Sequence, residues 1–202
     1  MNILQQLGYP ENSKLLIIHA DDAGLCHSEN QATIKALQKG MINSYSIMPP
    51  CPWFLEMANF AKANPQYDFG IHLTFTCEWT HYKWGPIQGK TGVPSLVNEL
   101  GYFHEKRGVF KSQAKNEDIQ KEAEAQIERV LNLGLKPSHI DCHMFTLGLN
   151  EEFLEIYRNL GKQYQLPICL NRDLFRLFDF EADPYLKEDL SLIHISEPTR
   201  PY

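Results

Sequence analysis

Short apolar runs alternate with amphipathic stretches along this chain. Residues 15–18 (Leu-Leu-Ile-Ile) read as a short buried strand, ended by the polar run His19-Ala20-Asp21-Asp22-Ala23-Gly24. Ser28 with Gln31 three residues on forms a capping-box pattern, and Ile34, Ala36 and Leu37 give an apolar face before Gly40 closes the helix. Residues 42–48 predict a second strand, 52–63 a second helix stopped by Asn64-Pro65, and 69–75 a third strand. Over 77–112 periodicity is lost, which predicts a long insertion with little regular structure, a length usually reserved for function. Asn116 offers a cap for a helix carrying Ile119, Ala123, Ile127, Val130 and Leu131 on one face, with Gly134 as its stop. A fourth strand over 137–142, a fourth helix over 150–164 and a fifth strand over 166–170 complete the pattern. Such alternation specifies an α/β fold with a parallel sheet or barrel, its sites at the carboxyl ends of the strands.

Composition narrows the class. Among 202 residues, 43% are hydrophobic and 11% aromatic, enough for one core and against disorder. The longest uninterrupted apolar run is residues 15–18, far short of the roughly 20 that a membrane span needs, and no basic start precedes it. The 19 Lys and Arg stand against 25 Asp and Glu, a net charge of -6 without a basic cluster, which argues against nucleic acid as a partner. Five scattered cysteines with no C-x-x-C pair indicate neither a disulfide framework nor a thiolate zinc site, so a soluble protein of the reducing cytoplasm is expected. Residues 191–202 (Ser-Leu-Ile-His-Ile-Ser-Glu-Pro-Thr-Arg-Pro-Tyr) resemble translated sequencing-adapter read-through. The expectation is therefore a single incomplete domain over 1–190, a fragment of a longer chain, followed by a non-native tail over 191–202.

Three strand ends carry candidate ligands: Asp21 and Asp22 after the first, His72 in Gly70-Ile71-His72-Leu73, and His139, Asp141 and His143 around the end of the fourth. In a parallel barrel these points share one rim, so residues distant in sequence can meet around one ion. One carboxylate and two neutral imidazoles leave open positions on a divalent metal, which can hold a water and lower its pKa. Taken singly, Asp21-Asp22 also reads as a turn cap and His72 as a satisfied core histidine. The alternation His139-x-Asp141-x-His143 is harder to dismiss, because period-two spacing points three polar side chains to one face of a strand.

The blocks Leu16-Ile17-Ile18-His19-Ala20-Asp21-Asp22-Ala23-Gly24, Gly70-Ile71-His72-Leu73-Thr74 and Lys136-Pro137-Ser138-His139-Ile140-Asp141-Cys142-His143 together resemble, in order and spacing, the signature of the YdjC/ChbG-like carbohydrate deacetylases. The resemblance implies a distorted, incomplete (β/α) barrel of mostly parallel strands that hydrolyses acetyl groups from N-acetylated amino sugars or oligosaccharides with one divalent cation, magnesium or zinc, with manganese or cobalt as alternatives. By the same resemblance Asp22, His72 and His143 are the metal ligands and Asp21 the general base. His139 and Asp141 are candidates for orienting a ligand or supplying a proton. Met144-Phe145-Thr146 stand where several relatives show further histidines, and Ala23 replaces the commoner phenylalanine.

The insertion opens with Glu78-Trp79-Thr80-His81-Tyr82-Lys83-Trp84-Gly85-Pro86, similar to this loop in one branch of the family. Aromatic faces stack on sugar rings, which makes Trp79, Tyr82 and Trp84 candidates for a saccharide platform; packing the loop onto the barrel is the competing role. The expected partner is an N-acetylated saccharide, with a homodimer as the option for assembly and neither nucleic acid nor membrane involved. The competing functions are another metal-dependent hydrolase on a barrel, or a non-catalytic sugar-binding or inactive truncated relative.

Overall fold

The computed structural model describes residues 3–170. The chain divides into two compact units, one of residues 1–18 with 170–202 and the other of residues 19–169. The described part of the first holds a single helical turn, α1 (Ile3–Gln6), and an irregular stretch in which Leu15, Leu16, Ile17 and Ile18 are 44% to 64% exposed. The sequence-based expectation of a tail over 191–202 lies outside the described residues.

In the second unit, β1 (His19–Ala23), α2 (His27–Gln38), β2 (Ser44–Ile47), α3 (Phe54–Ala63) and β3 (Asp68–Leu73) succeed one another as strand-helix repeats. Residues 77–112 then hold more structure than their lack of periodicity predicts: α4 (Gly89–Gly92), a 3-10 turn (Pro94–Leu96) and α5 (Arg107–Gln113). After them come α6 (Asn116–Leu131), β4 (Ile140–Cys142), a 3-10 segment (His143–Gly148) and α7 (Glu151–Tyr164). The four strands form one parallel sheet in the order β1-β2-β3-β4, an open α/β arrangement that does not close on itself among the described residues.

Several boundaries shift for identifiable reasons. The first strand is the polar segment His19–Ala23 rather than residues 15–18, with His19 registered opposite Ser44. Aliphatic content marks a strand only when both its faces meet apolar layers; here one face of the sheet is polar. The fifth strand reduces to one parallel bridge between Ile140 and Ile168. Neither proposed N-cap acts as one: Cys26 and Lys115 occupy those positions without side-chain caps, whereas Asn150 does cap α7, accepting from Phe153 N at 2.8 Å.

Period-two alternation builds the sheet's two faces. Tyr45, Ile47, Phe69, Ile71 and Ile140 are buried, and the Tyr45 ring meets those of Phe60 and Phe69. Their polar neighbours Ser44, Ser46, His72 and Asp141 form the other face, joined to one another and to His19 by hydrogen bonds. Gly70 is part of that face because a Cβ there would overlap the ring of His139. The insertion is pinned to α6 by a buried carboxylate: Glu122 accepts from Ile87 N, Gln88 N and Gln126 Nε2, and Gln126 in turn pairs with both backbone groups of Thr74. These bonds fix the loop that follows β3.

Candidate metal centre

β1 does not run straight through its aspartates. Ala20 pairs with Tyr45 and Ala23 with Ile47, so Asp21 and Asp22 together oppose Ser46, a bulge that re-aims a side chain. Asp22 has φ 61°, the left-handed region that asparagine and aspartate tolerate better than most residues but at a cost of order 1 kcal/mol or more. A second strained point lies across the site, where Met144 (φ 53°) and Phe145 (φ 50°) turn the chain just after His143. Strain at one candidate ligand and immediately after another is the pattern expected of a site held in place by its surroundings.

Asp22, His72 and His143 converge. Asp22 Oδ1 lies 3.1 Å from His72 Nε2 and 2.9 Å from His143 Nδ1, and one donor atom from each residue falls within 4.8 Å of the others. Each imidazole is held from behind by a carboxylate: His72 Nδ1 meets Asp141 Oδ1 at 2.8 Å, and His143 Nε2 meets Glu78 at 3.1 Å. Asp141 is fixed in turn by Ser46 Oγ, which donates to Oδ2 at 2.7 Å. Carboxylate–histidine pairing of this kind orients a ligand ring and selects its tautomer.

Burial works against every charge here, and the neighbours outweigh it. Burial would raise the Asp22 carboxyl, but the hydrogen bond to His143 and the neighbouring His72 imidazole hold it far below the usual range. Burial likewise opposes ionisation of Asp141 and Glu78, which His72 and His143 respectively overcome, leaving both lowered. Burial alone would depress the two imidazoles; Asp141 and Asp22 raise His72, and Asp22 and Glu78 raise His143. In the metal-free chain the stability from the raised histidines is full below their ordinary value and lost as pH rises through the raised ones. That from the lowered carboxylates is full above the ordinary carboxylate range and lost as pH falls. Denaturant midpoints of chelated protein are therefore expected to peak at about pH 5 to 6; a midpoint that climbs from neutral to alkaline pH would contradict this.

The residues fit a divalent cation on two grounds. Three carboxylates, Asp22, Asp141 and Glu78, surround two imidazoles, an excess of negative charge that a cation balances. Among the described residues His72 Nε2 is buried without a hydrogen-bond partner, facing Asp22 but not aligned to donate to it. A buried nitrogen left unpaired is costly, and metal ligation uses its lone pair.

The remaining residues singled out from the sequence fall in different places. Asp21 is exposed beside the cluster, and its carboxylate has no hydrogen-bond partner among the described residues. Glu29, in the first turn of α2, is raised by partial burial and then by the charges of Asp22 and Asp21, which places all three carboxylates in one neighbourhood. Asp141 is ionised and accepting, so it orients His72 rather than giving a proton. His139 is apart from the Asp22 group, its Nδ1 2.7 Å from Ser138 Oγ, and it clusters with His19 and Asp141.

Of the three aromatics, only Trp79 is largely open, at 47% exposure. Tyr82 donates its hydroxyl to Leu25 O at 2.7 Å. Trp84 is 2% exposed and donates Nε1 to Thr76 O at 2.9 Å, so its faces are already covered by protein and it packs the loop. Trp84→Ala is expected to cost about 3–5 kcal/mol in denaturant unfolding, and Trp79→Ala less than about 0.5 kcal/mol. Equal costs would show that both rings serve packing.

Glu78 escaped sequence reasoning. It sits in a stretch without periodicity, and its only signal is a carboxylate opening a loop at the carboxyl end of the His72 strand. Ser46 and His19 were equally silent, one in a strand of mixed polarity and the other in a block where the aspartates drew notice. Glu78→Gln is expected to weaken divalent-ion affinity about 10- to 100-fold without altering the circular dichroism spectrum. Competition against a chromophoric chelator checks this, and unchanged affinity would remove Glu78 from the site.

With this geometry in hand, the relatives are informative. The profile of the YdjC-like protein family matches residues 15–194, and the chain belongs to that family. It is 35% identical over 158 residues to a carbohydrate deacetylase of Enterococcus faecalis (strain ATCC 700802 / V583), covering 78% of this chain and 58% of the relative. It is also 35% identical over 152 residues to a carbohydrate deacetylase of Geobacillus stearothermophilus, covering 75% of this chain and 58% of the relative. Among solved structures it resembles a protein of Enterococcus faecalis V583 described as a cellobiose-phosphate cleavage protein, with a TM-score of 0.73 and 32% identity over 83% of this chain and 64% of that one. The chain thus spans under two thirds of the length of these relatives. No helix among the described residues is long and apolar enough to cross a membrane.

Proposed function

We propose that this chain is a metal-dependent hydrolase that removes acetyl groups from N-acetylated amino sugars or oligosaccharides. The observation that carries the reading is the convergence of Asp22, His72 and His143 on one point with Asp21 adjacent in the same bulge. The names borne by its relatives supply the substrate class.

Asp22, His72 and His143 would hold the cation. Bound there, a divalent ion polarises the acetamide carbonyl, lowers the pKa of a water and stabilises the oxyanion. Two imidazoles and one carboxylate suit zinc, cobalt or manganese better than magnesium. Asp21, exposed and uncommitted, takes the proton from the attacking water. Asp141 and Glu78 keep His72 and His143 in the orientation that presents their inner nitrogens. Trp79, on the loop that carries Glu78, offers an open face for a sugar ring.

Incubation of the purified chain with N-acetylglucosamine oligomers, with zinc, cobalt, manganese or magnesium added in turn, tests the reading. Acetate and free amine are expected in equal amounts. New reducing ends without acetate, or no product with any of the ions, would overturn it.

A further inference from the structure

The polar face of the sheet holds a second convergence, reaching toward the amino-terminal ends of the strands and sharing with the first the carboxylate of Asp141, whose Oδ1 holds His72. His19 begins β1, His139 immediately precedes β4, and Asp141 is the middle residue of β4. One donor atom from each lies within 4.8 Å of the others, as also holds for the Asp22 group. His19 Nε2 and Asp141 Oδ2 are 3.2 Å apart, and the His19 and His139 rings meet edge to face with centroids 5.4 Å apart.

We infer that His19, His139 and Asp141 form a second cation site, specific for a first-row transition ion such as zinc or cobalt. Three features support it. Ser138 Oγ occupies His139 Nδ1, which leaves Nε2 as the nitrogen turned toward the sheet. That placement depends on Gly70, since a Cβ there would overlap the ring nearest Nε2. The three side chains are 18%, 20% and 12% exposed, sheltered enough to bind firmly yet open to entry. Two imidazoles with one carboxylate select zinc, cobalt or nickel over magnesium and calcium.

The competing role for these residues is a hydrogen-bonded filling of the polar face, since His19 also contacts Ser44 Oγ and Ser46 Oγ, each at 3.0 Å. Asp68 lies at the rim, 3.9 Å from His139 Nδ1. A filling role needs no ion and predicts one bound equivalent per chain instead of two. The count of two rests on the Asp22 centre holding one ion, as the hydrolytic reading requires, and the variants tell the two sites apart.

Metal stoichiometry decides between them. The full chain is stripped with chelator, dialysed against cobalt or zinc, and analysed for metal per protein. Two equivalents are expected for wild type and one for His19→Ala/His139→Ala. One is expected for Asp22→Asn/His143→Ala, which shows that the second site survives loss of the first. A single equivalent in the wild type that His19→Ala/His139→Ala retains overturns the proposal, whereas one that this variant loses overturns the hydrolytic reading instead. A thiolate-to-cobalt charge-transfer band accompanying the second equivalent also overturns the proposal, since it would assign that equivalent to cysteine.

Discussion

His143→Ala is expected to reduce acetate release on the order of 10³-fold or more and to lower divalent-ion affinity in parallel. The ring contacts Asp22 on one side and Glu78 on the other, so its loss removes a ligand and leaves two carboxylates facing without the imidazole between them. Two half-buried anions deprived of their partner repel, and part of the deficit should appear as lost stability in the metal-free chain. His143→Gln, which keeps volume and polarity, should recover stability but not activity. Acetate release within tenfold of wild type in either variant would exclude His143 from the metal centre.

The second large effect belongs to Asp21. Asp21→Asn should lower the rate of acetate release by about 10² to 10⁴ while leaving metal affinity unchanged, because this carboxylate is outside the group that Asp22, His72 and His143 form. The split is the diagnostic feature: the ligands affect binding and rate together, whereas Asp21 affects rate alone. Its exposed carboxylate also makes the substitution mild for folding. Undiminished release from Asp21→Asn would transfer the base role elsewhere, with Glu29, which feels the charges of both aspartates, the next candidate.

The convergence of Asp22, His72 and His143 was legible in the sequence because strand geometry imposes it. Of the alternating His139, Asp141 and His143, only Asp141 lies within β4, opposite His72 on β3; His139 precedes the strand and His143 opens the 3-10 segment after it. The α/β alternation survives as well, since it rests on helix periodicity in segments such as Asn116–Leu131 that bury the stripe the spacing defines.

What was not legible depends on tertiary context. The polar lining of the sheet moved β1 off the aliphatic run at residues 15–18, which hydropathy alone favours. The bulge at Asp21-Asp22 has no local mark beyond the aspartates themselves. Glu78 enters the site through a loop whose position is set by Glu122 and Gln126, more than forty residues further along, a dependence that no local pattern encodes. Trp84 and Trp79 are alike in sequence, and only packing separates the buried ring from the open one.

The central claim is that one cation gripped by Asp22, His72 and His143 drives hydrolysis, and titration of metal back into chelated protein tests it most directly. Ion affinity and acetate release are measured together on wild type and on Asp22→Asn. Recovery of acetate release with occupancy of the Asp22 centre in wild type, and its absence in the variant, is the predicted result. Full acetate release from rigorously metal-free protein, or from Asp22→Asn, would contradict the account.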